Sequence, residues 1–105
     1  REDGLMVALH YIGDEIGAAG WRLAGAAVRV PEAGGEAAAL EASRGEAALV
    51  LVSAALAPRI DATQLRRATA APAPLVFVVP DTQGVAALPD FAARLRMQLG
   101  LGTEP

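Results

Sequence analysis

Four places in this 105-residue sequence carry side chains of the kind that do chemistry. His10 lies inside an apolar run, residues 5–12 (LMVALHYI). Asp14 and Glu15 follow that run directly after Gly13. Gly13, Gly17 and Gly20 punctuate the next stretch. Ser53 stands just past a second apolar run, residues 47–52 (AALVLV). Glycines after a strand can cradle phosphate, paired carboxylates can hold a metal or exchange protons, and a serine with a histidine can attack a carbonyl.

Each chemistry has an inventory to meet. A dinucleotide fold spaces its first-turn glycines as GxGxxG. Here the spacing is GxxxGxxG, and Glu15 lies where a pyrophosphate needs neutral backbone. A P-loop needs a lysine, and all nine basic residues are arginine. The glycines therefore point to close helix packing. A phospho-receiver needs two acids after strand one, an aspartate after strand three and a later lysine. Asp14 and Glu15 supply the pair, but Val52-Ser53-Ala54-Ala55 offers no carboxylate, which leaves at most a degenerate receiver. A Ser–His–Asp triad fails because the one histidine, His10, belongs to a strand, where a hydrogen-bonded core or edge position is expected, which leaves Ser53 with no second histidine and no obvious orienter. Asp14 reads as a helix cap, with Glu15 beside the positive end of the helix.

Composition narrows the classes further. Without cysteine there is no disulfide, thiolate site or Cys nucleophile. One histidine cannot build a histidine-based zinc site. No metal or cofactor is expected. The net charge of −3 and pI near 5 argue against a nucleic-acid partner, which favours a basic face. No apolar run approaches the roughly 18–20 residues of a membrane span, and no signal peptide is visible at the start. The hydrophobic fraction of 53% owes much of its excess to alanine.

The elements that must position these residues alternate. A strand at 5–12 leads to a helix at 16–24, with Trp21 as its anchor and Gly25 placed to stop it in the left-handed conformation. A short strand at 27–30 ends at Pro31. A helix at 36–43 is followed by the third strand, 47–52. Leu56, Ile60 and Leu65 predict the apolar side of a helix reaching about Ala70, with Pro58 in its first turn or marking its start. The fourth strand is 75–79, and Asp90 opens a closing helix. Short apolar strands joined by helices imply right-handed crossovers. The expected architecture is one α/β domain over residues 1–105, flavodoxin- or receiver-like. Its four-stranded parallel sheet has order 2-1-3-4 and helices on both faces.

The closing helix, 90–101, is the candidate partner-binding element. At about 100° per residue, Phe91, Leu95 and Leu99 share the core face with Leu88 and Ala92. Ala93, Met97 and Leu101 fall on the opposite side, flanked by Arg94 and Arg96. An apolar back is the pattern of a second contact surface, and methionine suits an adaptable one.

Residues 12–25, IGDEIGAAGWRLAG, resemble the N-terminal signature of the small α/β subunit of the central stalk in the A/V-type rotary ATPases. That pattern is a strand, Gly-Asp, then a short segment ending in Gly-aromatic-Arg-Leu-Ala-Gly. Gly13 and Asp14 match its start; Gly20, Trp21, Arg22, Leu23, Ala24 and Gly25 match its end. Weaker likeness continues at 48–57, 75–80 and 94–101. Departures fall at Gly17 and Ala19, where the family often has hydroxyl residues, and at Ala54 and Ala55, where it often has acids. The resemblance implies a non-catalytic rotor subunit of the central stalk, bound to the long coiled-coil subunit of that stalk near the ring of nucleotide-binding subunits. It would be cytoplasmic and peripheral to the membrane through the complex, coupling ATP turnover to ion transport. Partner contacts are then expected at Arg94, Arg96, Met97 and Leu101. Two other readings of the residues remain open: a degenerate receiver-like signalling module, and a small flavodoxin-like ligand binder.

Overall fold

The computed structural model describes residues 9–81, 84–87, 89, 90, 93 and 97. Strands β1 (Leu9–Ile12), β2 (Ala27–Arg29), β3 (Leu49–Ser53) and β4 (Leu75–Val79) alternate with helices α1 (Glu15–Leu23), α2 (Glu36–Arg44) and α3 (Ala62–Ala70). Short 3-10 turns stand at Ala57–Arg59 and Gly84–Ala87. All four strands are parallel, in the order β2-β1-β3-β4. The expected topology is the observed one.

Both faces of the sheet are covered, which is why the central strands read as unbroken apolar runs. Leu9, Tyr11, Leu49, Leu51 and Val79 pack with Ala18 and Trp21 of α1 on one face. Ile12, Val50, Val52 and Val76 pack with Leu40 of α2 and Ala68 of α3 on the other. Burial is complete through β1 and β3. The two helices of the second face are tied together by Gln64, whose amide donates to the Ala37 carbonyl at 3.0 Å and to Glu41 at 2.9 Å.

The single helix expected from Leu56 to Ala70 is instead two pieces. Pro58 lies in the 3-10 turn, where its missing N–H costs nothing. Ile60 then takes an extended conformation and turns inward to near-complete burial. Asp61 restarts the chain as a helix by accepting the Gln64 N–H at 3.0 Å. Leu56 and Ile60 reach the core from this broken segment rather than from a helix face.

Of the closing helix, Pro89, Asp90, Ala93 and Met97 are helical and exposed. Arg94, Arg96 and Leu101 lie outside the described residues. No helix among the described residues is long and apolar enough to cross a membrane.

Candidate functional site at the carboxyl edge of the sheet

In an open parallel sheet, ligands bind beyond the carboxyl ends of the strands, where successive connections leave to opposite faces. Here that place lies between β1 and β3. Asp14, Ser53 and Asp81 follow or end β1, β3 and β4, and Tyr11 lies beneath them. Asp14 caps α1, its Oδ1 accepting the Gly17 N–H at 2.8 Å. The capping role expected from the sequence is the observed one. Asp81, to which the sequence pattern assigns no role, is the better connected acid. It accepts the Ser53 hydroxyl at 2.7 Å and the Ala55 N–H at 3.0 Å, one on each oxygen. A carboxylate with both oxygens engaged stitches the ends of β3 and β4 together.

Tyr11 occupies the crevice itself. Its ring stacks on Trp21, with centroids 5.4 Å apart and planes 18° from parallel. A Cβ added at Gly13 or Gly17 would come within 2.5 Å of the Tyr11 hydroxyl. These two glycines therefore stand where the chain must pass over a phenol, which is the close packing their spacing predicts. Burial pushes the Tyr11 phenol above its ordinary value of 10. The charges of Asp81 and Asp14 push it further up. The remaining cleft, lined by Tyr11, Asp14, Gly17, Trp21 and Asp81, holds about 150 Å3. Small-molecule sites usually take about 300–1,000 Å3.

His10 and Tyr11 are consecutive in β1, so their side chains leave opposite faces of the sheet. Tyr11 packs with α1, whereas the His10 Nδ1 lies 3.1 Å from the Ser43 hydroxyl of α2. The only imidazole is thus separated from Ser53 by the sheet. Ser43 also accepts from Arg29 Nε at 2.9 Å, and Arg29 in turn pairs with Glu46 at 2.9 Å. Arginine can only donate, so Ser43 accepts from Arg29 and keeps its own proton and a second lone pair for other partners, His10 Nδ1 among them. Burial, then the Arg29 charge, lowers the His10 pKa below 6.5, against a smaller upward pull from Glu46. The histidine is a hydrogen-bonded core residue, as expected of its place in the strand.

No family model, no curated protein and no solved structure matches this chain.

The signature residues at 20–25 make a helix stop. Ala24 is the last residue with helical dihedrals, and Gly25 follows at φ 101°. The Gly25 N–H donates to the Arg22 carbonyl and the Ala26 N–H to the Trp21 carbonyl, each at 3.0 Å. That pair of bonds is the Schellman motif, completed by the apolar contact that commonly joins its ends: Ala26 and Trp21 lie in one buried cluster. Trp21 is only 1% exposed, as expected of an anchor. Gly20 is half-buried, and Arg22 and Leu23 point to solvent. Ile16 and Leu23, apolar residues of the expected helix, lie outside the core altogether. Among the described residues, no group of three His, Asp or Glu is placed to hold a metal ion.

Proposed function

We propose that this chain is a non-catalytic subunit of the central stalk of an A/V-type rotary ATPase, coupling ATP hydrolysis or synthesis to ion transport. One observation carries the reading. The sequence at 12–25 resembles that subunit's signature, and four of the matched residues have a physical task in this fold. Gly13 passes over Tyr11, Asp14 caps α1, Trp21 anchors it and Gly25 stops it. The α/β architecture is compatible with the reading, and so is the 65% exposure of Met97. The partner is the coiled-coil stalk subunit, met by Met97 and Leu101 with Arg94 and Arg96 beside them.

Co-expression with the coiled-coil subunit tests this. Met97→Asp combined with Leu101→Asp should abolish co-purification and leave the melting temperature of the isolated domain within a few degrees of the parent. Unchanged co-purification would remove the assignment. A second reading, a receiver-like module without phosphorylation chemistry, draws on the meeting of Ser53 and Asp81 near Asp14 at the carboxyl edge. Co-purification with a signalling kinase in place of the coiled-coil subunit would favour it.

A further inference from the structure

Helix α1 is apolar on two sides. Ala18 and Trp21 face the sheet and are buried. At about 100° per residue, Ile16, Ala19, Gly20 and Leu23 form a single stripe on the side away from it. Ile16 is 88% exposed and Leu23 91%. A helix covered on one side only is expected to be polar on the other. The stripe instead has the form of a coiled-coil seam, with large apolar residues seven apart and Ala19 and Gly20 at the intermediate steps. Small residues at the midpoint let a second helix approach closely, because interaxial distance follows the side chains at the contact. The only charged residues of the helix, Glu15 and Arg22, run along one flank of this seam. They are seven residues apart, exposed, and 3.9 Å from each other.

We infer that this stripe docks on the same stripe of a second copy of the chain, as an antiparallel helix pair about a two-fold axis. The reason is self-complementarity, which an isologous contact requires. With the axis passing between Ala19 and Gly20, Ile16 of each copy meets Leu23 of the other. A two-fold of this kind keeps the same flank of both helices on one side of the seam. Glu15 of each copy therefore faces Arg22 of the other, and the loose pair within one helix becomes two pairs between helices. A parallel arrangement sets the charged flank against the uncharged one, where Gly20 and Ala24 lie, and forfeits both. The contact is small. A nine-residue helix, about 14 Å long, covers less than the roughly 800 Å2 per partner of a standard interface. The association is accordingly weak, with a Kd on the order of 0.1 mM. It uses other residues than the stalk contact proposed above, and neither inference depends on the other.

Sedimentation equilibrium of the purified chain from about 10 μM to 1 mM tests it, over the range in which a weak pair of this size dissociates. The expected result is a monomer–dimer equilibrium that Leu23→Glu eliminates. Glu15→Arg and Arg22→Glu should each weaken the dimer by about three- to tenfold, and the double exchange should restore it to within about twofold. Thermal melts at low concentration check that every variant is folded. A monomer at all concentrations overturns the inference, as does a dimer indifferent to Leu23→Glu, or a double exchange no better than the singles. A chain that stays monomeric but binds a coiled-coil helix through Leu23 also overturns it, because that helix would own the face.

Discussion

Tyr11 and His10 show how much one residue's direction decides. Each is buried, yet they belong to different layers. Tyr11 imposes glycine at two positions, and Gly17→Ala measures that demand. Alanine gains roughly 1 kcal/mol of helix propensity, but its Cβ must displace a phenol that is itself stacked on Trp21. Overpacking of this kind costs about 1–3 kcal/mol, so urea denaturation should show a net loss of about 0–2 kcal/mol rather than the gain an open helix position would give. His10 makes the stability depend on pH. Its folded pKa lies below 6.5, so the unfolded chain binds the proton more readily. Stability is full above about pH 6.5 and falls as pH drops toward the folded value, by at most about 1.4 kcal/mol per pH unit. His10→Gln, which keeps a partner for Ser43 but cannot titrate there, should flatten that part of the profile. At this scale the sequence is legible where partners are near. Asp14 and Gly17 are three residues apart, and the cap can be read directly. Asp81 and Ser53 are 28 apart, and no local pattern announces their bond.

Elements are legible where their ends carry their own chemistry. Gly25 stops α1, Asp14 starts it, and the bounds expected from sequence differ from the observed ones by a single residue. Gly25→Ala should cost about 1–2 kcal/mol, since a Cβ at positive φ meets its own backbone. A comparable substitution at Gly45, which closes α2 in a right-handed conformation, should cost far less. Paired denaturation curves check the contrast. The segment at 56–70 misleads because Leu56 and Ile60, four apart, share a helix face, although Leu65, nine on from Leu56, falls half a turn away from it. Two weaker marks, Pro58 and the cap at Asp61, decide the matter, and both also suit a single helix begun later. The outward stripe of α1 is equally hidden, because in nine residues the periodicity of Ile16 and Leu23 looks the same whichever side the sheet takes. Only the position of Trp21 against Tyr11 settles which side is inside.

For the molecule as a whole, alternation of strand and helix is enough to give the parallel sheet and its order. Apolar runs at β1 and β3 mark central strands, and short, half-exposed β2 marks an edge. What that order does to the making of the protein is a separate matter. His10 pairs with Ala27, 17 residues on, but also with Val50, 40 residues on. The longer closure adds only about 0.8 kcal/mol of chain entropy. Yet nothing on the nearer side is a full core, since every residue of β2 is at least partly exposed. The first βαβ unit is therefore a waiting half, and the barrier to folding lies at the arrival of β3. Stopped-flow refolding should find that Val50→Ala slows folding, with a φ-value above about 0.5, whereas Val28→Ala chiefly speeds unfolding. A ribosome must thus release the chain past Ser53 before β1 gains its fully buried neighbour.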